Sequence, residues 1–460
     1  MKLSKLSQQS KRKPSLPNRS VVTSQDSEGL STSELTRREF VTAFSAFGAA
    51  VLAIGTASSL AACADNEASE EDDETYTPTP TGEEPSTLRV SEDQVLKAID
   101  FSEQPLGDYM REVGRFDLPF GTIVHQINDW LALTLTTHSE GAALVDVNLL
   151  HLGNGYTLRL FDNAVGGSFG HPDAIIYNAR ASDTLIAWTE CDIASLQWQV
   201  YMAPLTTGED GSFGSYSVGS PIQLDSGEPD YEVPQLAVHG DKVYWTVMPN
   251  PSGPANYEDS LLKAAVHGSK SPYVVFTSHG RIITQPLITE GYLTFSPRVD
   301  TTNVYYQLTA MDIATDKLVN GIVLPQSVRA LDAIYLGERL SFTIENNYTH
   351  AGGIGLYGTY LQLPSQSVMA PDRWLHLYRK PSAAPVMLAQ YLVVKSATRV
   401  ILIDADAQTY CSIQPLADCA DYGDILAGWG ARERLVIYTN VRSSSATSQA
   451  RGILRVFEPV

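Results

Sequence analysis

The sequence predicts an all-β fold, and three observations carry that prediction. From Arg89 onward there is almost no long helical periodicity, and short apolar runs follow one another instead. One run recurs in seven copies: Trp130-Leu-Ala-Leu-Thr-Leu, Leu185-Ile-Ala-Trp-Thr, Val243-Tyr-Trp-Thr-Val, Tyr292-Leu-Thr-Phe-Ser, Leu340-Ser-Phe-Thr-Ile, Tyr391-Leu-Val-Val-Lys and Leu435-Val-Ile-Tyr-Thr. Each copy is flanked by further apolar runs, one before it across a tight turn and one after it across a polar loop. Four antiparallel strands in a repeat of roughly 45 to 60 residues is the arithmetic of a β-propeller blade.

The preceding runs are clearest at Gln235-Leu-Ala-Val-His-Gly-Asp-Lys and Ala333-Ile-Tyr-Leu-Gly-Glu-Arg, where glycine supplies the positive φ of a hairpin turn. The third runs include Trp198-Gln-Val-Tyr-Met, Tyr305-Tyr-Gln-Leu-Thr-Ala-Met and Val400-Ile-Leu-Ile-Asp. Seven copies predict seven four-stranded blades. The chain stops at Val460, after the third strand of the last copy, and a ring must close to avoid a raw edge. An N-terminal strand is therefore expected to supply the missing fourth, with Thr87–Val90 and Val113–Leu118 as candidates. Between them Ser91-Glu-Asp-Gln94 reads as a capping box opening a short helix to about Asp100.

Met311-Asp-Ile-Ala-Thr-Asp-Lys-Leu and Ile403-Asp-Ala-Asp-Ala-Gln-Thr-Tyr resemble the Asp-x-x-Thr-Gly-Lys hairpin of outer blade strands. Over residues 110–460 the chain resembles the TolB-like and other seven-bladed propeller superfamilies, in architecture rather than in any catalytic motif. A pair of β-sandwiches or a β-helix is the competing all-β arrangement.

Residues 1–62 stand apart from this pattern. Eight basic residues against four acids precede a run without charge from Val41 to Ala62, the layout of an export signal. Thr36-Arg37-Arg38-Glu39-Phe40 resembles the twin-arginine (Tat) motif, with Val41 and Thr42 in place of its usual Leu and Lys. Leu60-Ala61-Ala62-Cys63 resembles the lipobox of bacterial lipoproteins, which implies diacylglycerol on the Cys63 sulfur and cleavage before it. Two or three acyl chains give stable anchoring where one does not. The uncharged run is also long enough to span a bilayer, so an uncleaved anchor is the alternative. Residues 63–88 read as a lipidated acidic tether: nine acids, no base and repeated proline bury too little to order themselves. Residues 89–460 form the propeller domain. The location expected is the extracytoplasmic face of the cell membrane.

Of the net charge of −20, the signal carries +4 and the tether −9, leaving −15 on residues 89–460. An acidic domain lacks the basic footprint of a nucleic-acid binder. Cys411 and Cys419 lie close enough in sequence to close a surface loop in an oxidising compartment, leaving Cys191 over. No metal ribbon, Gly-x-Ser-x-Gly elbow, His-Glu-x-x-His or phosphate loop occurs, so neither metal nor cofactor is expected.

Loops joining blades, and loops between second and third strands, lie on one face of a propeller around its channel. In this sequence they hold Asp173, Glu190, Asp192, Asp230, Glu232, Asp300, Glu345, Asp421 and Asp424, with Arg281, Arg298, Arg329, Lys395 and Arg442 interleaved. His138, His171 and His350 fall in the same class of loop. Two such carboxylates would serve as acid and base on a glycoside, at a separation the sequence does not reveal. The reading this supports first is a monomeric binding or protein-interaction module taking a protein, peptide or glycan. A glycan hydrolase or lyase is the alternative, and a redox propeller carrying an organic cofactor is a third. Substituting Cys63→Ala should move the protein from the membrane fraction to the medium; retention at the membrane would mean that the h-region itself spans.

Overall fold

Alternating apolar residues form strands here because the two faces of each sheet pack against the sheets on either side. In the computed structural model the described residues are 82–460, apart from 138–143, 166–173, 364–372, 417–423, 442–449 and positions 210, 270, 301 and 338. Arg37, Arg38, Phe40 and Cys63 lie outside them, as do Asp173, Cys419, Asp421, Arg442, His138 and His171. Among the described residues no helix is long and apolar enough to cross a membrane.

The strands form an all-β propeller of radial sheets. Blade 1 comprises Ile123–Gln126, Leu131–Thr137, Leu144–His151 and Thr157–Asp162; blade 2 comprises Ala174–Ala181, Leu185–Asp192, Trp198–Thr206 and Ile222–Gly227. Blade 3 runs Leu236–His239, Lys242–Val247, Ser260–Val266 and Tyr273–Ser278, and blade 4 runs Leu287–Thr289, Tyr292–Phe295, Gln307–Asp312 and Lys317–Val323. Blade 5 holds Asp332–Leu336, Arg339–Ile344, Gly358–Leu363 and Arg373–Leu377; blade 6 holds Val386–Leu388, Tyr391–Lys395, Val400–Asp404 and Thr409–Ile413. The hairpin glycines sit where expected, Gly240 at φ +54° and Gly337 at φ +50°.

The expected seven four-stranded blades need correction to six. Six blades are built from consecutive strands, and the seventh copy gives a composite closing sheet of Ile425–Leu426, Leu435–Val441, Arg451–Pro459 and the N-terminal strand Met110–Pro119. Its inner strand is divided. After Leu426 the chain turns away, and Gly430–Arg432 pairs in parallel with Val386–Leu388 of blade 6. At Gly430, φ +81°, a Cβ would stand 1.6 Å from Thr289 Oγ1 of blade 4, so only glycine lets the backbone pass there. Arg180 of blade 2 lies 5.2 Å from the ring centroid of Trp429 in this crossing segment.

Met110–Pro119 pairs antiparallel with Arg451–Pro459, so the candidate Val113–Leu118 is the closing strand. Thr87–Val90 is not. Ser86–Thr87 instead lies parallel to the outer strand of blade 4, Val95–Lys97 to that of blade 5, and Ser102–Glu103 to that of blade 6. This N-terminal segment straps three successive outer edges before it closes the ring. Pairing already begins at Gly82, against Leu318, so the boundary expected at residue 88 falls inside the first strap. The capping box forms, Ser91 with Gln94, but it opens a 3-10 turn of Glu92–Gln94 rather than a helix to Asp100. The next residues are drawn into the edge of blade 5 instead.

Aromatic side chains fill the layers between blades. Trp188, Trp198, Trp245 and Trp374 are all buried, and each buried aromatic contributes on the order of 2–3 kcal/mol from apolar area alone. Between blades 3 and 4, Asp316 accepts from Lys242 Nζ at 2.7 Å, Tyr244 at 3.0 Å and Tyr273 at 2.8 Å. In blade 5 the His376 ring stacks on Tyr360 at 4.2 Å, with Nε2 3.1 Å from the Tyr357 carbonyl oxygen. Burial holds this histidine down at about 4. The unfolded chain then binds a proton near pH 6.5 that the folded chain refuses until about pH 4. Stability from this group is complete above pH 6.5 and is lost as pH falls toward 4, on the order of 3 kcal/mol in all. Urea unfolding at pH 7.5 and pH 4.5 should therefore show a smaller acid loss for His376→Phe than for the parent; equal losses would remove His376 as a cause.

Candidate functional site

Of the loop carboxylates expected to converge, those within the described residues are placed individually, most of them in a structural contact. Glu190, 2% exposed, accepts from the Trp188 indole at 2.8 Å and from the Val165 backbone N–H at 2.5 Å. Asp192 caps its own turn through Ala194 and Ser195 N–H, and Asp300 does the same through Thr302 and Asn303 N–H, both at 2.7 Å. Those two backbone donors hold the exposed Asp300 carboxyl below its usual range. Asp230 is exposed, and its carbonyl oxygen accepts from Asn250 N–H.

Other members brace one blade link against the next. Glu232 meets Arg281 at 2.8 Å, and Arg281 also donates to the Pro249 carbonyl. Glu345 pairs with Lys380 at 3.1 Å. Arg298 donates its backbone N–H to Ser278 Oγ and its guanidinium reaches the Asn303 carbonyl at 3.4 Å; Arg329 lies over the Tyr306 ring, and His350 is exposed. Among the described residues no group of three or more His, Cys, Asp or Glu could hold a metal ion.

Asp424 is the exception. It is 3% exposed on the approach to the closing sheet, and Arg455, 5% exposed in that sheet's third strand, donates Nη2 to both its oxygens at 3.1 Å. Burial raises the Asp424 carboxyl, opposed by Arg455 and then by Lys395. Lys395 is itself buried, with Nζ on the Ser396 carbonyl at 2.5 Å, and burial lowers its ammonium while Asp424 opposes. Asp424 thus pairs with Arg455 while a second buried cation, Lys395, stands near enough to favour its charge.

Lys395 also breaks the repeat. The other second-strand copies carry a small hydroxyl as their fourth or fifth residue, Thr134, Thr189, Thr246, Ser296, Thr343 and Thr439, each no more than 2% exposed. Where that hydroxyl's bonds are clearest it ties the second strand to the start of the first, as Thr246 does to Gln235 N–H and Thr343 to Asp332. Blade 6 puts an ammonium in that place. Departures from an otherwise consistent pattern are expected at functional or strained sites. Aligning the apolar runs on the hydroxyl at their fourth or fifth residue shows the break from sequence alone.

Arg455 also reaches outward, forming part of a cleft of about 620 Å³. Glu103, Gln104, Pro105 and Leu106 line one side, Ser412, Ile413 and Gln414 another, and Glu112 and Phe457 complete it. The cleft follows the seam between the strapped edge of blade 6 and the closing sheet. A guanidinium fixed at its floor, with amides and carboxylates on its walls, can orient a polar ligand through hydrogen bonds. Cys411 does not form the expected loop disulfide with Cys419: its strand turns it into the blade 6 core as a buried free thiol, pushed up to about 12 by burial. Cys191 is likewise a buried free thiol.

No protein-family model matches the chain, and no curated protein matches it in sequence. Among solved structures it is similar to a prolyl endopeptidase, at 11% identity and a TM-score of 0.48, over 75% of this chain and 50% of that one. It is also similar to the β-propeller domain of the Trilobed protease from Pyrococcus furiosus, at 9% identity and a TM-score of 0.37, over 62% of this chain and 83% of that one. A third is BamB from Moraxella catarrhalis, at 11% identity and a TM-score of 0.37, over 81% of this chain and 98% of that one. This chain spans about half the length of the prolyl endopeptidase it matches. These likenesses concern the fold alone.

Removing one partner of a buried ion pair strands the other. Arg455→Ala should cost about 3–5 kcal/mol in urea unfolding. Adding Asp424→Ala should recover part of that loss through a coupling of about 0.5–3 kcal/mol. Strict additivity would mean that the two do not act as a unit.

Proposed function

We propose that this chain is an envelope-tethered β-propeller that binds a ligand or a protein partner, held through Cys63 and presented on the acidic segment before residue 82. The observation that carries the reading is the fate of the loop carboxylates. Glu190, Asp192, Glu232, Asp300, Glu345 and Asp424 each hold a turn, an indole or a neighbouring link in place. In these contacts they act as structural braces, whereas acid–base work on a glycoside needs two carboxylates held across a bond. The cleft at the seam adds a recess with a fixed cation, suited to recognition.

Export in a folded state by the twin-arginine route and lipidation at Cys63 fit such a role, since a closed ring presents its surfaces only once complete. The test uses the full chain with cell-wall and host glycans. New reducing ends should stay at the level of buffer alone, in the parent and in Glu190→Gln and Asp300→Asn alike. Turnover by the parent that either substitution abolishes would overturn the binding reading in favour of a glycan hydrolase or lyase.

A further inference from the structure

The opposite face of the ring carries the turns between first and second strands and the hairpins between third and fourth. On it, across the closing sheet and blades 1 and 2, stands a continuous row of aromatic rings. Trp130, in the first turn of blade 1, is 54% exposed. Its indole lies on the Arg434 guanidinium, 3.7 Å from ring centroid to Cζ. Arg434 is immobilised in turn by Glu458, at 2.6 and 2.8 Å, and by the Asp129 carbonyl. The row continues through His151, 6.4 Å from Trp130, then Phe213 at 5.5 Å and Tyr216 at a further 6.3 Å. Tyr156, 69% exposed, flanks it from the same hairpin as His151.

Exposing an indole to water is unfavourable, yet this one is fixed by a stacked cation whose own charge is already matched. The stacking leaves its outer surface available. Local backbone reinforces the arrangement. Gly153 N–H donates to His151 Nδ1 at 3.1 Å, and a Cβ at Gly153 would stand 3.0 Å from His151 Cε1 and 3.5 Å from Trp130 Cζ3. Glycine there keeps the two rings uncovered.

Carboxylates prevail along the border of the row, with the exposed Arg111, paired to Glu458, at its closing-sheet end. Asp183, Glu433 and Glu209 are exposed in the turns that carry it or adjoin it, and Asp183 sits close enough to Tyr216 to raise its phenol, after burial. The single guanidinium in the row is consumed by Glu458 and Trp130. Resting on the reading of the chain as a binding module, we infer that this row docks an extended, basic segment of a partner polypeptide. Apolar side chains of that segment lie on Trp130, His151 and Phe213, and its lysines or arginines face Asp183, Glu433 and Glu209. The row suits about five residues of extended chain at ~3.3 Å per residue. Charge complementarity sets the choice of partner: aromatic area supplies contact, and the carboxylate border selects positive charge and rejects negative.

The experiment is selection of twelve-residue peptides from a random displayed library on the full chain, followed by titration of the selected peptides. Trp188, Trp198, Trp245 and Trp374 are buried and Trp429 is half-buried, so a saturable fluorescence change that is lost in Trp130→Ala reports on Trp130. Selected peptides should be enriched in Lys and Arg. Their affinity should fall at least tenfold in Trp130→Ala, and severalfold either in Asp183→Asn/Glu433→Gln or on raising salt from 0.05 to 0.5 M. Phe213→Ala, with an unchanged melting temperature, serves as the second aromatic variant. Selection without basic enrichment, or binding indifferent to Trp130→Ala and Phe213→Ala, overturns the inference. So does a fluorescence response to chitohexaose in the absence of any to the peptides, which would assign the row to a glycan. Glycan turnover lost in Glu190→Gln would instead remove the binding-module reading and leave the peptide result standing, so the two failures are distinguishable.

Discussion

The structure depends on one pairing, that of Met110–Pro119 with Arg451–Pro459. It joins residues more than 330 positions apart in sequence and supplies the fourth strand of a sheet that otherwise ends on a raw edge. Every other blade is assembled from consecutive strands and needs only local hairpins. Closure, like the strap pairings, pays a long loop entropy, which rises only slowly with length but must be met before the contacts form. The register shift between Val456 and Phe457 adds local twist at this joint. The Arg455–Asp424 pair and the cleft lie at the same joint. The site is thus a consequence of closure, because only there do an N-terminal strap, a C-terminal strand and a neighbouring blade meet.

The straps extend the same logic outward. Each adds a parallel strand to an outer edge, on blades 4, 5 and 6 in turn, which blunts the edges most distant from the central packing. Close approaches fix the path. A Cβ at Gly82 would stand 2.1 Å from the Leu318 carbonyl oxygen, and one at Gly353 would stand 2.7 Å from that of Ser91. The strap therefore couples whatever precedes residue 82 to half of the ring rather than to a single strand. A pull on the N-terminus loads blade 4 first and reaches the closing sheet only after three strand pairings have given way.

Much of the fold was legible because propeller strands write their burial locally. Alternation, the seven apolar runs and the turns at Gly240 and Gly337 need no knowledge of distant residues, and Val113–Leu118 could be named as a closing strand from the need for one. What was not legible depends on contacts between remote segments. Thr87–Val90 has a strand's composition, but nothing in it says which edge it joins. Ser91 and Gln94 do make their box, yet the pull of blade 5 on Val95–Lys97 outweighs local helix preference. The candidate site fared likewise. Glu232 finds Arg281, Glu345 finds Lys380 and Asp424 finds Arg455, pairings that loop position cannot supply. Cys411 misled because nearness in sequence says nothing of direction, and its strand turns the thiol inward.

The distribution of charge follows from these pairings. On the loop face Glu232, Glu345 and Asp424 have basic partners, whereas Glu190, Asp192 and Asp300 are held by indole or backbone N–H donors. On the turn face Asp183, Glu433 and Glu209 border the aromatic row, and Arg434 is already matched by Glu458. Gly82 pairs with Leu318 just after the blade 4 hairpin, so the segment before it also departs on the turn face. That segment carries seven acids between residues 64 and 81 and no base. Like charge within a Debye length of about 8–10 Å disfavours its lying back on the carboxylate-bordered row. Blade 4, where it departs, stands across the channel from the closing sheet, as the approach of Gly430 to Thr289 shows. Contact between the row and that acidic segment would thus bring like charges together across the width of the ring.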